Sequence, residues 1–253
     1  IRVPYAMTVH GKEEIDAVTK VLETSTQMGE QTREFEEKIA KRFNKKYGVM
    51  VNSGTSALFL AMEVLDIPKG SEVITPALTF ATTAGCIIKN GLIPAYVDVK
   101  KNTYCIDETK IEEMITDKTK AMVIPNLMAN IPDWDAITAL AKKYDLKIIE
   151  DSADIVGGKY KGNPIGEYSD ISISSFYGMH VINCAGNGGI ACTSNLEYAN
   201  KMKLLRSWGR SSSLFDEKSA EAIENRFDVE VDGIPYDAKF VFEELGYQLE
   251  PSE

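Results

Sequence analysis

The sequence contains only two histidines, His10 and His180, and its four cysteines show no CxxC spacing. Because these residues lack the spacing of a zinc or iron–sulfur site, we expect reduced, buried thiols and no metal. No basic stretch is longer than "NKK" or "AKK", and the formal net charge is −10. This balance argues against binding to nucleic acid or to an anionic membrane surface.

Long apolar runs are also missing. No run approaches the roughly 18 residues of a membrane span. The N-terminal stretch "IRVPYAMTVHGKEE" lacks the apolar core of a signal peptide. We therefore expect the protein in the cytoplasm. The absence of an initial methionine and the stop at "GYQLEPSE", just after a helical pattern, suggest that the natural chain extends beyond both ends.

The 253 residues are 44% hydrophobic, enough to bury a core in one large domain or two small ones. Two amphipathic stretches, "GKEEIDAVTKVLETS" and "TREFEEKIAKRF", predict surface helices. From Lys46 onward short β-rich runs alternate with helical patterns that begin at Thr55, Thr82, Thr109 and Trp134. This alternation predicts an α/β fold with a mostly parallel sheet between helices.

Ligands of such sheets bind beyond the carboxyl ends of the strands, so polar residues that follow the β-runs are candidates. In "NSGTSALFLAM" Gly54 permits close backbone approach, Thr55 and Ser56 supply hydroxyl groups, and a helix N-terminus suits a phosphate. An N-cap before an ordinary helix explains the stretch equally well.

Asp151 ends the apolar run "LKIIE", where a carboxylate is poorly solvated and needs a partner. A protonated ring nitrogen meets that need, and so does a helix N-cap or an arginine. Phe80 is either a core residue or a platform for a cofactor. His180, five residues after Ser175, is either a satisfied loop histidine or a functional group.

Taken together, Gly54, Thr55, Phe80, "EDSAD" and the Ser175-x-x-x-x-His180 spacing resemble the DegT/DnrJ/EryC1/StrS family of vitamin-B6-dependent sugar aminotransferases. The resemblance implies fold type I, like that of aspartate aminotransferase, with a small C-terminal domain outside this chain. It implies that Gly54, Thr55 and Ser56 bind the cofactor phosphate and Phe80 stacks on its ring. Asp151 would pair with the ring nitrogen, and Asp154 and Ser175 would also contact the cofactor.

The family's Schiff-base lysine position is His180 in this chain, and no lysine occurs from Gly162 to Asn200. This exchange is the mark of the family's hexulose 3-dehydratase branch. The segments "NLMANIPDWDAI", Asp154 of "EDSAD", and "LRSWGR" followed by an insertion over 211–235 and "YDAKFVFEELGYQL" also resemble that branch.

The branch implies a reaction in which pyridoxamine phosphate, or its pyridoxal form, acts on the 4-keto-6-deoxyhexose of a nucleotide sugar. Histidine forms no Schiff base but serves as a general base, with Asp151 keeping the pyridine nitrogen protonated while the C3 hydroxyl leaves. The product is a precursor of 3-deoxy sugars for lipopolysaccharide O-antigen or natural-product glycans. An amino acid such as glutamate would restore the cofactor amine.

The chain departs from characterised dehydratases in three respects. Val181 replaces the second histidine of an "HH" pair, and the turn that follows has the aminotransferase length. Ala153, Ser212 and Leu214 stand where one dehydratase group has cluster cysteines, so we expect no iron–sulfur cluster. Gln248 replaces an asparagine that reaches the partner's cofactor phosphate, which implies a homodimer with shared active sites.

The sugar-facing wall is predicted to include Tyr5, Met28, Gly29 and Asn126. We expect an N-terminal segment and helix over 1–30, a cofactor-binding domain over 31–210, and an insertion leading to a further domain over 211–253. Two alternatives stay open. One is a nucleotide-sugar 4-aminotransferase whose lysine became histidine by variation or deliberate mutation, and the other is a catalytically silent binding or regulatory homologue.

Overall fold

The computed structural model describes residues 2–3, 9–24, 26, 28–180, 182–209, 214, 229–231 and 234–236. The chain forms two compact units, Ile1–Asn195 and Leu196–Glu253. The helices of the first unit are α1 (Lys12–Thr24), α2 (Glu30–Arg42), α3 (Gly54–Glu63), α4 (Ala81–Lys89) and α5 (Trp134–Tyr144). Its strands are β1 (Tyr47–Val51), β2 (Glu72–Pro76), β3 (Ile93–Val97), β4 (Thr119–Pro125), β5 (Lys147–Asp151), β6 (Lys159–Tyr160), β7 (Asn163–Pro164), β8 (Ile171–Ser175) and β9 (Gly189–Thr193).

The second unit has fewer described residues. They include helix α6 (Leu196–Arg206) and an antiparallel hairpin of β10 (Val229–Val231) and β11 (Ile234–Tyr236). Most of the predicted insertion over 211–235 lies outside the described residues.

Seven strands form the central sheet in the order β1-β9-β8-β5-β4-β2-β3. The pairs β2–β3, β2–β4, β4–β5 and β5–β8 are parallel, whereas β9 runs antiparallel to both β1 and β8. The predicted α/β fold with a mostly parallel sheet is therefore confirmed. Parallel strands have their carboxyl ends at the same edge of the sheet. A crevice is expected at that edge where the strand order reverses.

The core lies between the sheet and its helices. Every residue of β8 and β9 is buried, as expected of strands that are covered on both faces. Large side chains with no exposed surface include Phe43, Trp134 and Phe176. The apolar runs that predicted strands thus form the buried sheet, which holds in place the polar residues that follow its strands.

The two N-terminal helices differ in what they bury. α2 buries Ile39 and Ala40, and the Glu36 carboxylate accepts the backbone N–H of Met50 at 2.7 Å, which ties this helix to β1. α1 buries none of its residues, and its apolar stripe of Ile15, Val18 and Leu22 is exposed. Both helices exist as predicted, but the apolar face of α1 has no cover within this chain's described residues.

The helix predicted from Thr109 is wrong. Two short 3-10 segments, Glu108–Lys110 and Glu112–Met114, occupy this region. The Asp107 carboxylate accepts the N–H of Thr109 and begins the first segment, and Ile115 has extended backbone angles that end the second. The apolar spacing of "KIEEMI" resembles a helix, but Ile111 alone is fully buried between the segments, so there is no continuous face to hold a longer helix.

The expectation that all four thiols are buried is also wrong. Cys86, Cys105 and Cys192 are buried, but Cys184 is exposed because it lies in the glycine-rich turn between β8 and β9. Among the described residues, no group of three acidic, histidine or cysteine side chains is arranged to hold a metal ion. Within the same residues, no helix is long and apolar enough to cross a membrane.

Candidate active site

A cleft of about 1030 Å³ opens at the carboxyl ends of the parallel strands. It is bounded by the segments that follow β1, β2, β4, β5 and β8, which are the strand ends that the sequence singled out. The cleft is lined by Ser53, Gly54, Thr55, Leu58, Leu78, Thr79, Phe80, Thr82, Thr83, Tyr104, Pro125, Asn126, Leu127, Met128, Asp151, Ala153, Asp154, Ile173, Ser175, Tyr177, Met179, His180 and Asn187.

One end of the cleft is the N-terminus of α3. Ser53 caps this helix by accepting the N–H of Ser56 at 3.1 Å. A Cβ atom on Gly54 would lie 2.7 Å from the Cβ of Ser175, so only glycine permits this approach of α3 to the end of β8. A Cβ on Gly189 would lie 2.1 Å from the Ser53 carbonyl oxygen. Two glycines thus let three backbone segments converge around a helix N-terminus, whose positive end favours an anion.

Asp151, the last residue of β5, is almost completely buried at the cleft. Its carboxylate accepts the Thr83 hydroxyl at 2.8 Å and the Ala153 N–H at 3.2 Å. Burial raises the pKa of this carboxyl, and the neighbouring Asp154 raises it further, while the two hydrogen bonds and His180 lower it. A buried carboxylate whose charge is so poorly solvated favours a cationic or protonated partner from the cleft.

His180 is held by the backbone of the strand end. Its Nδ1 lies 2.9 Å from the Ser175 carbonyl oxygen, and its own backbone N–H donates to the Tyr177 carbonyl at 2.9 Å. A carbonyl oxygen accepts only, so neutral His180 carries its hydrogen on Nδ1 and has its lone pair on Nε2. The ring is partly exposed, and Nε2 lies 3.8 Å from Asp154 Oδ1.

Asp154 joins two sides of the cleft. Its Oδ2 accepts the backbone N–H of Met128 at 2.7 Å, while Oδ1 faces His180. Met128 and Ala129 have φ angles of 54° and 63°, a left-handed conformation that costs free energy in residues other than glycine. The carboxylate therefore fixes a strained stretch of the wall that follows β4.

A buried polar network lies behind this wall. Asn126 donates to Glu150 at 2.9 Å and to Ser152 at 2.8 Å, and the hydroxyl groups of Ser152 and Ser172 also donate to Glu150. Burial raises the pKa of Glu150, against the opposing effect of these donors and of Lys45. The network connects the carboxyl ends of β4 and β5 to β8 at Ser172, so it fixes these three strands relative to one another.

Phe80 is not a core residue, because 70% of its surface is exposed at the cleft. This position favours the platform interpretation over the core interpretation. Sequence reasoning missed Thr83. It lies one turn after Phe80, but its contact with Asp151 exists only in the folded chain. Sequence reasoning also missed Tyr104, which has a left-handed φ of 58° in the turn after β3 and reaches the same cleft.

Some predicted site residues are not brought to this cleft. Met28, Gly29 and Ser56 are described but are not among the residues that line the cleft. The Ser56 hydroxyl contacts the Ser53 hydroxyl. Tyr5 and Gln248 lie outside the described residues. The roles predicted for these five residues stay predictions. The other predicted site residues share one cleft: Gly54, Thr55, Phe80, Asn126, Asp151, Asp154, Ser175 and His180.

Comparison with known proteins gives a consistent result. The profile of the DegT/DnrJ/EryC1/StrS aminotransferase family matches residues 8–229. A dTDP-4-dehydro-2,6-dideoxy-D-glucose 3-dehydratase from Saccharopolyspora spinosa is 33% identical over an alignment of 261 residues, which covers 99% of this chain and 56% of the relative. The chain spans about half the length of the curated relatives it matches.

A solved dehydratase structure and a solved aminotransferase structure share the fold. The GDP-4-keto-6-deoxy-D-mannose-3-dehydratase of E. coli with bound hydrated PLP has a TM-score of 0.81 and 29% identity, covering 94% of this chain and 64% of the other. The aminotransferase of Psychrobacter cryohalolentis has a TM-score of 0.80 and 30% identity, covering 94% of this chain and 59% of the other.

Proposed function

Because the chain belongs to the DegT/DnrJ/EryC1/StrS aminotransferase family, we propose that it dehydrates a nucleotide-linked 4-keto-6-deoxyhexose at C3. Pyridoxamine or pyridoxal phosphate is the proposed cofactor, and the product is a precursor of 3-deoxy sugars in lipopolysaccharide or natural-product glycans. The dehydratases among the relatives support this substrate class. Glutamate or a similar amino acid is the proposed amine donor that restores the cofactor.

The residues of the cleft fit such a cofactor. The Gly54 site is a cradle that a Cβ would fill, at a helix N-terminus suited to a phosphate. Asp151 is a buried carboxylate that a protonated ring nitrogen would satisfy, and Phe80 offers an exposed aromatic face. We propose that Gly54 and Thr55 hold the phosphate, Phe80 contacts the ring, and Ser175 supports the phosphate end. When bound, the cofactor supplies an amine for the keto sugar and a ring that takes up electrons.

His180 is the proposed general base. Ser175 fixes the ring so that Nε2 bears the lone pair on the side of Asp154. Nε2 takes the proton whose removal starts the elimination and returns one to the departing C3 hydroxyl, which leaves as water. Asp151 keeps its negative charge toward the ring nitrogen, and Thr83 holds that carboxylate in place.

The observation that carries the proposal is that His180 lines the cleft at the position where an enzyme that binds its cofactor covalently needs a lysine amine. No lysine is among the described residues that line the cleft. Histidine cannot tether the cofactor, but it moves protons near neutral pH. A site with these contacts therefore suits proton transfer on a cofactor held without a covalent bond.

The test is incubation of the purified protein with pyridoxamine phosphate and a panel of 4-keto-6-deoxy nucleotide sugars. We expect mass spectrometry to detect a product that has lost one water molecule from the sugar. Turnover of none of the panel would contradict the proposal and favour a catalytically silent homologue.

A sugar 4-aminotransferase is the second candidate. The similarity to the aminotransferase of Psychrobacter cryohalolentis favours it. In that case an amine should appear on the sugar with no loss of water. Borohydride trapping of the cofactor on a lysine of the wild-type protein would also identify this candidate.

A homodimer with shared active sites is part of the proposal. The exposed apolar stripe of α1, formed by Ile15, Val18 and Leu22, supports association because such a stripe is normally covered. Sedimentation should therefore give the mass of a dimer, and a fully active monomer would contradict this part of the proposal.

A further inference from the structure

Asp154 makes two contacts that no other described carboxylate of the cleft combines. Its Oδ2 accepts the Met128 backbone N–H at 2.7 Å, and its Oδ1 lies 3.8 Å from Nε2 of His180. Met128 belongs to the wall segment Leu127–Ala129 after β4, whereas His180 follows β8. One side chain, from the turn after β5, therefore reaches both.

The wall segment needs this support. Met128 and Ala129 are consecutive residues with left-handed φ angles, and neither is glycine. A conformation of this kind costs free energy in any residue other than glycine and persists only when its surroundings hold it. The side chain of Met128 is 71% exposed and lines the cleft, so its own packing gives little support. The charge-assisted hydrogen bond to Asp154 is the strong contact available to its N–H.

The second contact is electrostatic. At 3.8 Å, the Asp154 carboxylate is too far from Nε2 for a hydrogen bond, but its negative charge stabilises the imidazolium that forms when Nε2 takes a proton. Asp154 also lies close enough to Asp151 to raise the pKa of that carboxyl.

We propose that Asp154 is a positioning residue that couples the Leu127–Ala129 wall to His180. By holding the wall through Met128 and facing Nε2 with a charge, it sets the distance between this side of the cleft and the atom that moves the proton. This role differs from a cofactor contact. The role toward His180 rests on the proposed function, whereas the role toward the wall does not.

Two substitutions separate the two contacts. Asp154→Asn keeps a carbonyl oxygen that can accept the Met128 N–H but removes the charge. Asp154→Ala removes both. Asp98→Asn is the matched control, because Asp98 also accepts a backbone N–H, that of Val99 at 2.8 Å, but does not line the cleft.

The first measurement is amide hydrogen exchange at Met128 in the cofactor-free protein. We expect Asp154→Ala to accelerate exchange by about tenfold. Asp154→Asn and Asp98→Asn should exchange much as the wild type does. Unchanged exchange in Asp154→Ala would overturn the proposal, whatever reaction the enzyme catalyses.

The second measurement is the split between kcat and KM in the dehydration assay. Asp154→Asn should lower kcat by about fivefold with little change in KM, since only the charge near the imidazolium is lost. Asp154→Ala should lower kcat further and also raise KM, because the wall is released. Equal kinetics for Asn and wild type would overturn the role toward His180. If no dehydration occurs in the wild type, the proposed function fails, but the exchange result still decides the contact with the wall.

Discussion

The carbonyl oxygen of Ser175 lies 2.9 Å from Nδ1 of His180, and this contact determines which ring nitrogen is basic. Because the carbonyl can only accept, the hydrogen is on Nδ1 and the lone pair is on Nε2. The five-residue spacing between the two residues therefore has a structural meaning. It allows the turn after β8 to fold back until the histidine ring meets the end of its own strand.

The first prediction concerns His180 as the base. His180→Asn should lower turnover by roughly 10²–10⁴-fold, because no side-chain atom is left to take the proton. Cofactor affinity should change little, since the proposed phosphate and ring contacts come from other residues. Steady-state kinetics and a cofactor titration measure the two effects. Wild-type rates in this variant would rule out His180 as the base.

The second prediction uses the opposite substitution. His180→Lys places a primary amine in the cleft, where it can bond covalently to pyridoxal phosphate. Borohydride treatment followed by intact-mass measurement should then show a protein that is heavier by one cofactor, and dehydration should fall. The wild type serves as the control and should stay unmodified. A wild type that is itself trapped would favour the aminotransferase.

The third prediction concerns the close approach at Gly54. Gly54→Ala forces a Cβ to within 2.7 Å of the Ser175 Cβ, so it should destabilise the protein by about 1–3 kcal/mol and weaken cofactor binding. Urea unfolding and a cofactor titration measure these effects. Gly85→Ala is the matched control, because Gly85 lies within α4 and has no neighbour within 4 Å of an added Cβ. There alanine should stabilise the helix by about 0.5–1 kcal/mol.

The fourth prediction follows from the buried carboxyl of Asp151. Burial raises its pKa in the folded state above the unfolded value of about 3.9. The folded protein therefore binds more protons at this site, and the free energy of unfolding falls as the pH rises from about 4 through the raised pKa. Asp151→Asn removes this loss. The cofactor-free variant should become more stable relative to the wild type as the pH rises.

Urea unfolding at several pH values from roughly 4 to 8 checks this trend. The Thr83 hydroxyl can turn to accept from the new amide, so the variant keeps its main contact. A difference in stability that does not depend on pH would contradict the prediction. With cofactor added, the order should reverse, because the wild type then gains a partner for its carboxylate.

Much of the fold could be predicted from the sequence because its signals are local. Runs such as "LKIIE" and "ISISSF" become buried strands, and the residues at their ends meet in the cleft, since parallel strands share one edge. The failures have local causes too. The stretch after Thr109 has helical spacing, but it lacks a face that the core could bury.

The contacts within the cleft were harder to predict because they depend on tertiary structure. Thr83 lies in a helix that the sequence predicts, yet its bond to Asp151 joins residues far apart in the chain. The same holds for Asp154 and the N–H of Met128. A backbone N–H leaves no mark in the sequence, and left-handed angles at Met128 and Ala129 contradict what their residue types favour.

The edge position of β1 has a consequence for synthesis of the chain on the ribosome. In the sheet order β1 neighbours β9, which pairs with all five of its residues. β1 and the Ser53–Gly54 turn that follows it emerge early, but Gly189–Thr193 emerges much later. Until then the turn has no strand to anchor it and no Ser175 to pack against. A nascent chain shorter than this cannot form the proposed phosphate site, so we expect the proposed cofactor to stabilise the finished sheet and not to guide its early folding.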